Sequence, residues 1–156
     1  MMSSTLKFWE AFIKNTHQKP DINYVSCFHF ELTKSLANAL LELVLKGQKK
    51  ATASSLNAFI IEKEPLPKVG DFHIVTDWDG HPKCVIQTTQ VTIMPFKDMT
   101  YEICKREGED DTLKSWQAGH RRFYEAEGNA LGYTFTEDMD IVFEDFEVVY
   151  KEEGTF

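Results

Sequence analysis

The chain has 156 residues, of which 25 are acidic and 17 are lysine or arginine, so its formal net charge is −8. Its apolar content of 42% predicts one globular domain that needs no disulfide or metal to fold, because a chain of this length buries roughly 70% of its extended surface. The acidity argues against tight non-specific binding of duplex nucleic acid, which requires lysine and arginine at the phosphates, but it leaves open a local basic pocket or an uncharged ligand.

Two amphipathic helices are predicted in the first third of the chain. Residues 6–16 form the first, with aromatic side chains on one side. The second is the clearest helix of the sequence, because apolar residues recur at helical spacing at Leu32, Leu36, Ala39, Leu40, Leu43 and Val44. Lys46 in its last turn and Gly47 after it favour a helix end at this point. Residues 51–61 are predicted to be extended.

A β-hairpin is predicted in the middle of the chain. Residues 72–78 alternate as a half-buried strand does, and Asp79-Gly80 follows, a dipeptide typical of a two-residue type I′ turn. The return strand runs from Lys83 to about Ile93. Its apolar residues change from even to odd positions, which predicts a bulge near Thr88-Thr89-Gln90.

Two helices and a strand are predicted to complete the chain. Residues 98–107 form a short helix that ends before Gly108, and residues 112–127 form a longer one. The last strand covers residues 141–150, and the parity of its apolar positions also changes. Two bulged strands in a small mixed protein predict a strongly curved or closed sheet, and the order of elements excludes a regular doubly wound fold.

The first candidate site is the segment Gly47-Gln48-Lys49-Lys50-Ala51-Thr52, where a helix ends and a strand begins. A turn in this segment would bring Lys49 to the hydroxyl of Thr52, and a desolvated lysine can act as the base that activates a threonine. The alternative is a helix C-cap with two solvated lysines, which Gly47 favours because glycine is common at that position.

The second candidate is the acidic run Glu107-Gly108-Glu109-Asp110-Asp111. Four neighbouring carboxylates repel one another, and Glu107 lies at the negative end of a helix, so its pKa is expected to rise unless a cation is near. A carboxyl group with a raised pKa suits general acid/base chemistry. The alternatives are a solvated turn in which Asp110, Asp111 or Thr112 caps the next helix, or a weak Mg²⁺ or Ca²⁺ site without the EF-hand pattern.

The third candidate is a helical face with Trp116, His120, Arg121 and Arg122. Trp116 and His120 are i, i+4 neighbours, and the set could stack a base and contact phosphates. The alternative is a core face in which His120 bonds to a backbone carbonyl and the arginines are solvated. No histidine and cysteine cluster has zinc spacing, and no GxSxG, Walker A or Rossmann glycine pattern occurs, so no metal or cofactor is predicted.

The cellular compartment is predicted from three cysteines. Cys27, Cys84 and Cys104 are widely spaced and form no CxxC pair, which is typical of the reducing cytoplasm. No apolar run approaches the roughly 20 residues of a transmembrane helix, and the first residues lack the apolar stretch of a signal peptide. The sequence therefore predicts a cytoplasmic protein without a membrane partner, and it leaves the oligomeric state open.

Several short motifs occur in a characteristic order between residues 28 and 150. They are Gly47-x-Lys49-x-x-Thr52, Leu66-Pro67-x-Val69-Gly70-Asp71, Asp77-x-Asp79-Gly80-x-Pro82, Val91-x-x-x-Pro95-Phe96, Glu107-Gly108-Glu109-Asp110, Trp116-x-x-x-His120 and Glu144-x-Phe146. Together they resemble the ASCH domain, a branch of the PUA-like superfamily. The N-terminal helix with Phe8-Trp9 is similar to that of a bacterial ASCH subgroup.

The resemblance implies an α+β fold, a PUA-like, six-stranded, mostly antiparallel curved β-barrel with flanking helices. It implies one domain over residues 1–156, with residues 1–27 as a helical extension packed on it. Some small bacterial members resemble amidohydrolases that cleave N4-acetylcytidine and related acylated cytosines with a Lys, a Thr and a Glu. These residues correspond to Lys49, Thr52 and Glu107, and no cofactor is implied.

Three functions follow as hypotheses. In an amidohydrolase of a small nucleoside, Thr52 attacks the acyl carbonyl, Lys49 is the base and Glu107 handles the proton of the leaving amine. A non-catalytic module for single-stranded RNA or a nucleotide would contact phosphate and base with residues from the first and third candidate sites. These substrate-binding candidates are Lys50, Trp116, His120, Arg121 and Arg122, with Lys49 as a further phosphate contact. A ribonuclease assisted by a metal at Glu109-Asp110 is the third hypothesis.

Overall fold

The computed structural model describes residues 3–31 and 33–151. Its helices are α1 (Ser4–Thr16), α2 (Lys34–Leu45), α3 (Leu56–Ile61), α4 (Tyr101–Cys104) and α5 (Leu113–Leu131). Its strands are β1 (Ser26–Phe28), β2 (Ala51–Ser55), β3 (Phe72–Thr76), β4 (Pro82–Pro95) and β5 (Asp140–Lys151). Short 3-10 turns cover Phe96–Asp98 and Lys105–Glu107. Leu32, which the sequence places in the second helix, lies outside the described residues.

The strands form one sheet in the order β1-β3-β4-β5-β2. The pairs β3–β4, β4–β5 and β5–β2 are antiparallel, and the edge strand β1 runs parallel to β3. The expected α+β fold with a curved, mostly antiparallel sheet and flanking helices is confirmed. The sheet is a curled half-barrel of five strands in the described part of the chain, rather than the six-stranded barrel expected.

The predicted bulge in β4 is confirmed, since the register with β5 shifts between Thr88 and Gln90. A second shift falls between Val85 and Ile86 and leaves Val149 of β5 without a directly opposed partner. The second bulge therefore lies at the end of β5, not between residues 143 and 146. Apolar parity changes earlier in β5 because helices cover its two faces at different points along the strand.

The hairpin between β3 and β4 is antiparallel as predicted, but its turn differs from type I′. A type I′ turn requires a positive φ at both of its central residues. Gly80 has a φ of 87°, but Asp79 is not among the residues with positive φ in the described chain. The loop spans residues 77–81, and the backbone N–H of Asp77 donates to the carbonyl of His81. The Asp-Gly pair predicted the turn but not its length.

Residues 51–61 are extended only as far as Ser55. The Ser55 side chain is fully buried, where it accepts a hydrogen bond from the backbone N–H of Ala58 and donates one to Glu127. A serine in this position is a strong N-cap, so the chain turns from β2 directly into α3. The expectation of a single extended segment to residue 61 is therefore wrong in its second half.

Helices cover both faces of the sheet. Trp9 and Phe12 of α1 pack on Ile74 of β3, whereas Val44 of α2 packs in the cluster that contains Val75. Adjacent residues of a strand point to opposite faces, so α1 and α2 lie on opposite sides. A third apolar cluster joins α5 to β2 and β5, and its largest buried members are Trp116, Tyr124, Phe96 and Phe143.

None of the helices in the described part of the chain is long and apolar enough to span a membrane. All three cysteines are free, with Cys84 and Cys104 buried and Cys27 exposed. Burial raises the pKa of the Cys84 thiol to about 12, which makes it an unreactive packing residue.

Candidate functional site

The first two candidate segments meet because two turns of the backbone pack directly together. The backbone N–H of Lys50 donates to the carbonyl of Arg106 at 2.9 Å, and the side-chain amide of Gln48 donates to the carbonyl of Gly108 at 2.7 Å. Gly108 has a φ of 72°, and a Cβ there would lie 2.2 Å from the carbonyl oxygen of Gln48. Only glycine satisfies both conditions, so Gly108 fixes the approach of the acidic run to the lysine segment.

Lys49 is the centre of this contact, with only 2% of its surface exposed. Its Nζ donates to the carbonyl of Ala51 at 2.8 Å and to the carboxylate of Glu109 at 2.6 Å, and it lies 3.5 Å from Glu107. Three oxygen atoms thus match the three N–H groups of a lysine ammonium. The Nζ also lies 5.4 Å from the ring centroid of Phe30. The alternative of a solvated C-cap lysine does not apply to Lys49.

Glu107 lies on the other side of the lysine, and its side chain is 3% exposed. It accepts a short hydrogen bond from the indole N–H of Trp116, and it lies 3.2 Å from Nε2 of His120. Burial alone would raise the pKa of Glu107, but the charges of Lys49 and His120 and the hydrogen bonds outweigh it and lower the pKa to about 2. The expectation of a raised pKa is wrong because the cation that the sequence could not locate is Lys49.

His120 has an acceptor at each ring nitrogen. Its Nδ1 lies 2.9 Å from the backbone carbonyl of Trp116, and its Nε2 faces Glu107. Both contacts need an N–H, which favours the doubly protonated imidazolium. Burial lowers the pKa of His120, but the charge of Glu107 and these hydrogen bonds raise it above the ordinary value. His120 therefore acts as a second cation beside Glu107.

Glu109 is the functional residue that sequence reasoning did not assign to this site. Its side chain is 22% exposed, and burial raises its pKa, with the negative charge of Glu107 adding to the effect and Lys49 opposing it. The charge run at 107–111 marks this residue, but only the left-handed turn at Gly108 shows that Glu107 and Glu109 both face Lys49. We call Lys49, Glu107, Glu109, Trp116 and His120 the buried cluster.

The rest of the acidic run caps a helix. Thr112 is the N-cap of α5, accepting from the backbone N–H of Ser115, and Asp110 accepts from the hydroxyl of Ser115 at 2.6 Å. In the part of the chain that the structure describes, Glu109 and Asp110 belong to no group of three or more side chains with metal-binding geometry. Within residues 3–31 and 33–151, one group has such spacing, Asp77, Asp79 and His81 in the hairpin loop, and Asp77 is already bonded to His81 there.

Among the described residues, Lys50 lines the same depression as Lys49, whereas the candidates Trp116, His120, Arg121 and Arg122 do not. Trp116 has no exposed surface, because its ring stacks between Phe96 and His120, so it orients Glu107 rather than offering a face to a base. Arg121 pairs with Glu137 at 2.5 Å on the outside of α5. Arg122 is exposed on α5, and Lys50 is exposed beside Lys49.

Thr52 faces a different part of the site. Ala51 packs in the apolar cluster under α5, and Thr52, the next residue of β2, faces a cavity of about 520 Å³ on the opposite side of the sheet. We call this space the cavity. In the described chain the Thr52 hydroxyl makes no hydrogen bond to Lys49 or Glu107. The bond from Lys49 to the carbonyl of Ala51 nevertheless places Nζ within about 5 Å of the Thr52 backbone nitrogen.

A second depression of about 460 Å³ begins at the end of α2 and is called the groove. Lys46, Lys49, Lys50 and Lys151 line it, together with one acidic residue, Glu147. This end of the molecule is therefore locally basic although the protein is acidic.

Comparison with known proteins assigns the family. A family model described as the ASCH domain matches residues 26–150. The chain belongs to the ASCH domain family. Members of this family are generally related to RNA binding.

Two solved bacterial structures are similar to this ASCH protein over nearly its full length. An ASCH domain from Lactobacillus crispatus JV V101 is 33% identical, with 96% of each chain covered and a TM-score of 0.88. A protein from Enterococcus faecalis V583 is 32% identical, with 97% of this chain and 91% of that chain covered and a TM-score of 0.88. No curated protein matches the chain.

Proposed function

We propose that this ASCH protein is an amidohydrolase of N4-acylated cytosine nucleosides, with Lys49 and Thr52 as its catalytic residues and Glu107 as the residue that positions Lys49. The observation that carries the proposal is the ion pair of Lys49 and Glu107, whose side chains are 1% and 3% exposed. Replacement of a whole buried ion pair by apolar residues often costs no stability, and strongly perturbed titratable groups concentrate at functional sites. The two residues are also those that correspond to the Lys and Glu of amidohydrolases in the family.

The proposed proton-carrying roles follow the directions of the pKa shifts of two acidic residues. Glu107, with a pKa of about 2, holds no proton near neutral pH, so it holds Lys49 in place instead of protonating the leaving amine. Glu109 contacts Lys49 at 2.6 Å and has a raised pKa. Transfer of one proton from the Lys49 ammonium to the Glu109 carboxylate leaves Lys49 as a neutral amine, which can act as a base.

Amide cleavage then proceeds through an acyl-enzyme. The Thr52 hydroxyl oxygen bonds to the acyl carbonyl carbon while Lys49 takes the hydroxyl proton. The tetrahedral intermediate breaks its bond to N4, and Lys49 returns the proton to that nitrogen, which releases cytidine. Water then attacks the Thr52 ester and releases the carboxylic acid. An uncharged nucleoside suits a protein with a net charge of −8.

The test is release of cytidine from N4-acetylcytidine by the purified protein. Lys49→Arg keeps a cation between the two carboxylates but cannot serve as a base, so we expect a loss of at least about 100-fold in kcat. The matched control is Lys14→Arg on the exposed side of α1, which should leave turnover unchanged. No turnover by the native protein across a panel of acylated cytosines would refute the proposal.

Two further variants separate the assigned roles. Thr52→Ala should abolish turnover, whereas Thr134→Ala in an exposed loop should not change it. Glu109→Gln keeps a hydrogen-bond acceptor near Lys49 but cannot take its proton, so kcat should fall and its dependence on pH should change. Native kcat and an unchanged pH profile in Glu109→Gln would contradict its role as the proton acceptor.

The groove favours a second candidate function, non-catalytic binding of single-stranded RNA. Lys46, Lys50 and Lys151 line it and could contact successive phosphates. Three such contacts would give a slope of about −2 in the logarithm of affinity against the logarithm of salt concentration. Turnover of a neutral nucleoside has no such dependence, so measurements at low and high salt distinguish the two functions.

A further inference from the structure

A chain of polar side chains crosses four strands on the floor of the cavity. The hydroxyl of Ser26 in β1 lies 2.7 Å from Nδ1 of His73 in β3. Nε2 of the same ring lies 3.4 Å from the carboxylate of Glu144 in β5. Glu144 in turn accepts a hydrogen bond of 2.5 Å from Thr88 in β4. The first three of these residues line the cavity.

This row of polar side chains is buried, but one of its nitrogen atoms lacks a hydrogen-bond partner. His73 is 8% exposed, and within residues 3–31 and 33–151 its Nε2 has no hydrogen-bond partner, since the contact with Glu144 lacks hydrogen-bond geometry. Buried polar atoms in folded proteins are nearly always hydrogen-bonded. Nε2 of His73 therefore has a hydrogen-bonding position beside the cavity that a ligand can fill.

The walls of the cavity define the shape of that ligand. The apolar part of the lining consists of Val25, Phe28, Phe59, Pro65, Pro67 and Ile86. A volume of about 520 Å³ lies in the range of small-molecule sites. Among residues 3–31 and 33–151, two acidic residues, Glu64 and Glu144, line the cavity and no lysine or arginine does, so the cavity disfavours phosphate and other anions. Apolar walls that include two phenyl rings, beside polar groups on the sheet, suit an uncharged planar ring.

The hydrogen-bonding atoms on the floor define the edge of that ring. An ionised Glu144 only accepts hydrogen bonds, so it faces an N–H of the ligand. When the Ser26 hydroxyl donates to Nδ1 of His73, the hydrogen of that ring lies on Nε2, which then donates to an acceptor of the ligand. Nε2 of His73 and the Glu144 carboxylate, 3.4 Å apart, thus offer a donor beside an acceptor, the pattern complementary to a ring nitrogen beside an exocyclic N–H.

We propose that the cavity binds an uncharged nucleobase, with Glu144 accepting its exocyclic N–H and His73 donating to the neighbouring ring nitrogen. The choice of cytosine among such bases rests on the proposed function. Thr52 is paired with Glu144 across β2 and β5, so their Cβ atoms lie about 5 Å apart. An acyl group on the N4 atom held by Glu144 would therefore extend beside the Thr52 hydroxyl.

The test is calorimetric binding of cytidine, which carries no acyl group and cannot be turned over. Glu144→Gln and His73→Phe should each weaken cytidine binding about tenfold or more, because the first replaces a charged acceptor with a weaker neutral one and the second removes the donor to the ring nitrogen. Glu147→Gln is the matched control, since it changes the same group on the same strand but lies exposed in the groove. Ribose 5-phosphate, which lacks a base, should not compete with cytidine.

A second measurement keeps the test decisive if His73→Phe fails to fold. Amide chemical shifts of the native protein should move on addition of cytidine at residues lining the cavity and not at those lining the groove. Shifts confined to the groove, equal affinity of Glu144→Gln and the native protein, competition by ribose 5-phosphate, or no binding of cytidine would each overturn the proposal. Cytidine binding that depends on Glu144 without turnover of N4-acetylcytidine would instead refute only the proposed function.

Discussion

Replacement of Glu107 by glutamine tests the electrostatics of the buried cluster directly. The change keeps the shape of the side chain but removes the charge between Lys49 and His120. Since the pKa of Glu107 falls from 4.5 to about 2 on folding, and each pKa unit corresponds to about 1.4 kcal/mol, the ionised carboxylate contributes about 3 kcal/mol to the free energy of unfolding. Loss of one partner of a buried ion pair costs a similar amount in other proteins, about 3–5 kcal/mol.

Urea unfolding followed by circular dichroism measures this contribution. With a slope of about 2 kcal/mol per molar urea, Glu107→Gln should lower the midpoint at pH 7 by about 1.5 M. A carboxylate whose pKa is lowered by folding stabilises above its unfolded pKa, so the gap between native protein and variant is full at pH 7. It should shrink as the pH falls from 4.5 towards 2, where Glu107 becomes protonated in both states.

The matched control is Glu102→Gln on α4, which removes an exposed carboxylate that is bonded to Lys105. This change should not alter the urea midpoint measurably. The reasoning is refuted if Glu107→Gln unfolds at the native midpoint at pH 7, or if the gap between the two proteins is the same at pH 2.5 as at pH 7.

Two further predictions concern the same contact. Gly108→Ala should lower the free energy of unfolding by about 3 kcal/mol, since it adds positive-φ strain and a Cβ 2.2 Å from a backbone oxygen. The control Gly132→Ala has a φ of 98° but open space around the new Cβ, so it should lower the free energy of unfolding by about 1 kcal/mol. Equal losses for the two variants in urea unfolding would contradict the role of the close approach. The pKa of His120, followed by NMR titration of its ring protons, should lie above 6.5 in the native protein and fall in Glu107→Gln; a pKa that does not change would show that Glu107 is not its cause.

Much of the fold could be predicted from local patterns. Helical periodicity located α2, and the change of parity near Thr88 located the bulge in β4, because both signals depend on residues close in sequence. The conversion of residues 56–61 into α3 was not predicted, because it depends on Ser55 acting as an N-cap while bonded to Glu127 in a distant helix. Contacts of that kind leave no local signal.

The candidate site could likewise be predicted from the sequence only in part. The sequence marked Lys49 and Glu107 as candidates, but it gave the wrong direction for the pKa of Glu107, because the number of charges in a run does not say which side chains turn inward. Glu109 was missed as a partner of Lys49 for that reason. Ser26, His73, Thr88 and Glu144 come from four different strands, so nothing in their sequence spacing indicates that these side chains meet.

The parallel edge strand β1 has a consequence for the energetics of the cavity. It joins the sheet through three residue pairs, Ser26–His73, Cys27–Ile74 and Phe28–Val75, which makes it a short and locally weak element. Ser26 and Phe28 of this strand are part of the cavity lining. Detachment of β1 would therefore remove part of the cavity lining. A molecule that binds only the complete cavity stabilises the attached state of β1 by mass action. Amide hydrogen exchange in residues 26–28 should therefore slow as the cavity fills, because both quantities depend on the equilibrium between attached and detached β1.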